Sequence, residues 1–236
     1  MTPDLLARLQ AARAAKRPVA LLTRLADGAQ LLHPGDAVPA WLEMHAEAAL
    51  GGDAAVTVTL GAETWFVHPH NPPLRLVVVG AVHIAQALVP MALPLGFAVT
   101  VVDPRRAFAT EERMGDRVTI STDWPDEAMA ALAPDARTAV VTLTHDPKLD
   151  DPALEVALRS RAFYIGSLGS RRTHAKRIAR LTETGLTEAE LARIQAPVGL
   201  DIGAVTAPEI AVSILAQIVE ARRRGDRDGS KKNPAP

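Results

Sequence analysis

From Leu74 onward, short apolar runs alternate with stretches whose apolar positions recur every three or four residues. Residues 74–79 are apolar apart from Arg75, the pattern of a strand buried on both faces. Gly80 ends that run, and residues 81–93 carry a helical pattern that Pro90 and Pro94 should kink or shorten. Residues 97–102 predict a second strand, closed by Asp103-Pro104. Residues 118–121, 138–143 and 163–165 predict a third, fourth and fifth. Helices fall between them. One starts at Pro125 behind Asp123 or Trp124 and runs to Leu132; another is opened by Asp151-Pro152 and runs to about Ser160. Past Ser170 the chain reads as helix over 171–183, over 187–194 and after Thr206. Thr187 with Glu190, and Thr206 with Glu209, have capping-box spacing. Ile210, Ile214, Leu215 and Ile218 form one core-facing stripe. Residues 225–236 are polar and charged and predict a disordered tail.

The first 70 residues are patterned differently. Residues 1–17 read as an amphipathic helix, 18–24 as a strand, and Asp27-Gly28 as a turn leading to a returning strand at 30–32. A helix over 39–50 ends at Gly51-Gly52, and 55–60 with 64–67 form a hairpin around Gly61. His68-Pro69-His70-Asn71-Pro72-Pro73 reads as a linker, because three prolines in six residues resist helix and central strand alike. The fold class is therefore α/β: a Rossmann-like doubly wound parallel sheet with a small N-terminal α+β domain. The expected division is residues 1–70, 71–224 and the tail 225–236.

Composition narrows the chemistry. The 236 residues are 48% apolar, enough for a sizeable core, and the net charge of −1 gives no reason to expect nucleic acid or an anionic membrane as partner. No apolar run approaches a membrane span, and the N-terminal charges do not suit a signal peptide, so the expected location is cytoplasmic. Cysteine is absent, which removes disulfides, thiolate metal sites, a cysteine nucleophile and a persulfide carried on these residues.

In a doubly wound sheet, ligands bind outside the carboxyl ends of the strands, so residues at those ends are the candidates. Gly80-Ala81-Val82-His83-Ile84-Ala85 follows the first strand. Gly80 and Ala85 suit the outer positions of a dinucleotide fingerprint, while Val82 stands where a second glycine would admit a pyrophosphate. Asp103, 23 residues after Gly80, sits where an acid binds a ribose hydroxyl. Thr144-His145-Asp146 ends the fourth strand, with Lys148 and Asp150 behind; it is either an acid/base or ligand-contacting pair or a simple helix cap. Gly166-Ser167-Leu168-Gly169-Ser170-Arg171-Arg172 leads into a helix N-terminus and suits an oxyanion. The bland alternative there is a flexible loop before a solvated basic face holding Arg171, Arg172, Lys176, Arg177 and Arg180. Pro197-Val198-Gly199-Leu200-Asp201-Ile202-Gly203 is a glycine-punctuated segment that either folds over a ligand or packs two helices together. His33, His45 and His174 are isolated, and His68 with His70 would make a metal pair without a third ligand nearby in sequence.

Together and in this order, these segments resemble the XdhC/CoxI family. The resemblance rests on Gly80-Ala81-x-His83, Val101-Val102-Asp103, Thr144-His145-Asp146 with Asp150, Tyr164 through Arg172, and Pro197 through Gly203 followed by Thr206 and Glu209-Ile210-Ala211. It covers about residues 60–224. It implies an accessory protein, not a catalyst, that binds molybdenum cofactor as molybdopterin or its dinucleotide form. Such a protein protects the cofactor during sulfuration and hands it to an apo molybdenum hydroxylase large subunit of the xanthine or carbon monoxide dehydrogenase type. Implied partners are a cysteine desulfurase, that hydroxylase subunit and a second copy of the chain. The implied cofactor-binding set is Gly80, His83, Asp103, His145, Asp146, Gly169, Ser170, Arg171 and Asp201, with no metal ligands. Two departures stand out: Val82 replaces the usual glycine, and the N-terminal region lacks the family's glycine-rich and cysteine-containing segments. An NAD(P)-dependent oxidoreductase remains the alternative on Gly80, Ala85 and Asp103. A partner-binding protein that kept the fold and lost the ligand is a third.

Overall fold

The computed structural model describes residues 1–230 and divides them into two compact units, 73–222 and 1–72 with the helix end from Arg223. In the larger unit, β5 (Leu74–Val79), β6 (Phe97–Val102), β7 (Thr119–Ser121), β8 (Thr138–Thr142), β9 (Tyr164–Ser167) and β10 (Ile194–Gln195) form one parallel sheet, ordered β10-β9-β8-β5-β6-β7. Three consecutive strands run one way from β5 and three the other way from β8. The direction of winding therefore reverses between them, which is the doubly wound arrangement. The sheet is covered on both faces. Leu76 and Val78 pack with Leu88 and Val89 of α3 (His83–Ala92) and Ile214 and Ile218 of α9 (Ala207–Ser230). Val77 and Val79 pack with Met129 of α5 (Pro125–Leu132), Leu154 and Leu158 of α6 (Pro147–Arg159) and Leu181 of α7 (Arg171–Glu183). Successive side chains of β5 thus enter opposite cores, and this is why its run is almost unbroken in apolar character.

Four details differ from the pattern-based expectation. The helix after β8 opens at Pro147, with Asp146 as its cap, and Pro152 lies inside it. Asp146 accepts from the Lys148 amide at 3.0 Å, so Asp146-Pro147 supplies cap and first position, and the later Asp-Pro pair is spare. The two-residue β10 and the one-turn α4 (Glu111–Met114) are too short to give a periodic signal. Residues 225–230, expected to be disordered, continue α9; the rest of that expected tail, 231–236, lies outside the described residues. The helix expected over 187–194 is the short α8 (Glu188–Leu191), and its Thr187–Glu190 capping box is present.

The smaller unit is an antiparallel sheet of β1 (Val19–Arg24), β2 (Gln30–His33), β3 (Val56–Leu60) and β4 (Glu63–His70), ordered β2-β1-β4-β3. Leu5 and Leu9 of α1 (Pro3–Ala14) pack with Leu21 and Leu32. Leu42 and Ala46 of α2 (Ala40–Gly52) pack with Ala20, Leu22 and Trp65. The expected linker is strand as far as His70, and Pro69 pairs with Ala20. Pairing with β3 stops at Val67, so Pro69 has β1 on one side and no strand on the other, where a missing N–H breaks no ladder. Among the described residues no helix is long and apolar enough to cross a membrane.

Candidate functional site

Because the six strands are parallel, the segments that follow β5, β6, β8, β9 and β10 all leave the same rim. These carry Gly80, Asp103, His145, Ser170 and Asp201 respectively.

At the point where winding reverses, the rim is tightly closed. Gly80 has φ +107°, and a Cβ there would stand 2.5 Å from Thr144 Cγ2. Only glycine lets the two strand ends come so close. Thr144 is tied down in turn: its hydroxyl donates to Asp150 Oδ1 at 2.7 Å, and its oxygen accepts from the Asp146 amide at 3.0 Å. This knot holds His145 in the left-handed region at φ +62°, with its side chain exposed. Asp146 is exposed and serves as the α6 cap. His83 is exposed on the first turn of α3.

Asp103 is fully buried. Its oxygens accept from the Ala81 amide at 2.8 Å, the Arg105 amide at 3.0 Å, and Arg105 Nε and Nη2 at 2.9 and 2.8 Å. Burial pushes this carboxyl up, but the Arg105 guanidinium and the two amides outweigh burial and hold it below the usual carboxylate range. Asp103 thus braces the glycine turn and offers no free oxygen to a ribose.

On the next side of the rim, Gly169 at φ +133° and Ser170 set up α7. Ser170 Oγ accepts from the Thr173 amide at 3.2 Å. Ser170→Ala should therefore cost about 1 kcal/mol of stability, seen as a small fall in Tm, whatever else the residue does. Arg171 is exposed at the first position of α7. Asp201 is exposed in the loop after β10, which is held on α9 by Leu200 N–H to Ser213 O at 3.1 Å and Gly199 N–H to Gln217 Oε1 at 2.8 Å.

Beside His145, the N-terminal turns of α6 and α7 enclose a cleft of about 330 Å³, bordered by His145, Asp150, Asp151, Arg172, Lys176 and Arg177. Arg172 borders it; Arg171 does not. The basic stripe on α7, for which solvation was the bland expectation, is only partly solvated: Arg177 is 2% exposed. Burial pulls its guanidinium below its ordinary range, although Asp150 and Asp151 oppose that. Burial likewise pushes the Asp150 carboxyl up, against the Thr144 hydrogen bonds and Arg177. The cleft residues Asp150, Asp151, Lys176 and Arg177 were not among the nine candidates. The signal for the basic ones was present in the spacing 172, 176, 177, 180, which puts four cations on adjoining helical rows.

Comparison with known proteins gives a consistent picture. The XdhC Rossmann domain model matches residues 76–218. The chain is 32% identical over 158 residues to the molybdenum cofactor insertion chaperone PaoD of Escherichia coli, covering 67% of this chain and 43% of PaoD. It is 31% identical over 159 residues to a probable xanthine dehydrogenase subunit of Bacillus subtilis, covering 67% and 46%. Similarity to the uncharacterized protein YqeB of Escherichia coli is 34% over 173 residues, 73% and 32%. The chain thus spans between about a third and a half of these relatives' lengths. A solved structure described as a xanthine dehydrogenase from Bacillus halodurans superposes with a TM-score of 0.74 at 23% identity, over 96% of this chain and 69% of that one, which establishes a shared fold.

Proposed function

This chain belongs to the XdhC family, and from that premise we propose that it is an accessory protein that binds molybdenum cofactor and presents it to a xanthine-dehydrogenase-type hydroxylase. The observation that carries this reading is the rim. Segments bearing His145, Ser170 and Arg172 leave one edge of the sheet, and a cleft with surplus positive charge lies among them. The donor set fits the cofactor's phosphate: Arg177, Arg172 and Lys176 all border the cleft, and Arg177 Nε and Nη1 are buried without hydrogen-bond partners among the described residues. When bound, the cofactor supplies the metal dithiolene chemistry of the client enzyme. The chain's own contribution is to hold the anionic end and to place His145 beside it. His145, exposed and set by the Thr144 knot, can donate to or accept from the bound group.

With no cysteine in these 236 residues, sulfur for the cofactor comes from a separate protein in this reading, a cysteine desulfurase, and the chain acts as scaffold. The client is the large subunit of the hydroxylase, and the scaffold works as a homodimer in the cytoplasm. Residues 1–70 are, in the same proposal, a small N-terminal α+β domain, with 71–224 as the cofactor-binding part. A nicotinamide dinucleotide fits less well, since Val82 crowds the turn and Asp103 has no free oxygen.

The test is purification from a host that makes the cofactor, followed by oxidation and fluorescence. A fluorescent pterin in stoichiometric amount is expected. A preparation without pterin, from a host whose hydroxylases are loaded, overturns the reading.

A further inference from the structure

We propose that the cleft between α6 and α7 is a binding site for a phosphate monoester, with Arg177 as its floor. The location differs from the glycine turn, where a dinucleotide pyrophosphate would lie in a fold of this kind.

The argument starts from Arg177. Its guanidinium is 2% exposed, yet its one hydrogen bond among the described residues runs from Nη2 to the Leu168 carbonyl, at 3.0 Å. Nε and Nη1 have none. Asp150 Oδ2 lies 3.7 Å from Nη2 and Asp151 Oδ1 4.0 Å from Nε, too far for hydrogen bonds. A buried guanidinium with idle donors is costly, and an oxyanion provides the missing acceptors in a planar, forked arrangement. The surroundings favour the same ligand. Four cations on α7 face two carboxylates, and one of those cations, Arg180, is already held by Asp151 at 2.5 and 3.1 Å. Arg172 and Lys176 have no carboxylate within ion-pair distance among the described residues. The N-terminal turns of two 13-residue helices border the cleft through Pro147 and Thr173, adding partial positive charge.

Asp150 narrows the ligand class. Its Oδ1 is occupied by Thr144, while Oδ2 is buried with no hydrogen-bond partner among the described residues, 3.7 Å from Arg177 Nη2. A carboxylate beside an anion is repulsive unless a proton lies between them. A phosphate monoester, whose second pKa is about 6, can share that proton. Sulfate and a phosphodiester bring no proton of their own near neutral pH. Resting on the cofactor reading above, this makes the seated group the terminal phosphate of molybdopterin itself, not the internal pyrophosphate of its dinucleotide form.

Calorimetry of the full chain with inorganic phosphate and with sulfate, at matched ionic strength, tests this. Phosphate is expected to bind at least about tenfold more tightly than sulfate. Arg172→Ala with Lys176→Ala, both exposed positions, should weaken phosphate by a further factor of about ten or more and leave Tm without phosphate unchanged. Asp150→Asn keeps an acceptor for Thr144 and removes the charge, so sulfate should then bind as well as phosphate. Absence of phosphate binding, equal binding of sulfate by the unaltered chain, or undiminished binding in the double variant overturns the proposal. Pterin retained by a chain that binds no phosphate would discard this cleft and spare the cofactor reading. Phosphate bound by a chain that never yields pterin would keep the cleft as a site for other monoesters and discard the cofactor reading.

Discussion

Asp103→Ala is expected to lower the unfolding free energy by about 3 kcal/mol, and Tm by roughly 6–12 °C, the scaling for a unit of this size. Most of the loss comes from the Ala81 amide. That residue is fully buried, and its N–H donates to Asp103 Oδ2 at 2.8 Å. Without the acceptor, a buried N–H is left unpaired and a small cavity opens at the strand end. The Arg105 side chain is 38% exposed, so water recovers much of what its ion pair loses, and that part counts for less. The pH dependence follows from the sign of the Asp103 shift. Its folded-state pKa is held below the unfolded value of 3.8, so between the two the unfolded chain binds more protons. The stabilisation is present above pH 3.8 and is lost as pH falls through the folded pKa. Chemical denaturation from pH 7 down to pH 3 should show the gap between wild type and variant narrowing at the acid end. A gap that stays constant would mean that the carboxylate's charge contributes nothing.

Gly199→Ala should be about as damaging, at roughly 2–4 kcal/mol. Gly199 has φ +95°, a region an L side chain enters only with strain. A Cβ would collide with Ser213 Oγ and lie 3.2 Å from the Ile214 nitrogen, which belongs to the backbone of α9 and cannot move aside. The loop must lift instead, giving up the Leu200 and Gly199 amide bonds to α9 and the Gln217 carbonyl shared with Tyr164 Oη at 2.6 Å. Gly203→Ala is the control. Its φ is +74° with open space around it, so strain alone applies and the cost is about 1 kcal/mol. Thermal melts and proteolysis of the 197–203 segment distinguish the two. Equal melting of both variants would show that the segment does not depend on its seat against α9. In the cofactor-binding reading, pterin retention falls with Gly199→Ala and persists with Gly203→Ala.

The glycine turn shows how far sequence reasoning reached. Gly80 and Asp103 were legible as a pair because their spacing is that of a strand-turn-helix-strand unit, and the structure joins them through the Ala81 amide. Their role was not legible: Arg105, two residues on, turns back onto Asp103 and occupies it. Asp146 was readable as either a ligand contact or a cap, and it is the α6 cap. In the Ser170-Arg171-Arg172 segment the helix start was evident, but which arginine turns inward depends on rotation about the α7 axis, and Arg172 is the one bordering the cleft.

Periodicity alone determined the parallel two-faced sheet, since a run such as Leu74–Val79 has a low-energy home only between two apolar layers. Motif order alone pointed to the XdhC family. The burial of Arg177, the cleft beside α6 and the occupied state of Asp103 belong to tertiary structure. A helix's basic stripe reads the same in sequence whether water or a neighbouring helix lies against it. Desolvation and hydrogen-bond satisfaction are set by whatever packs there.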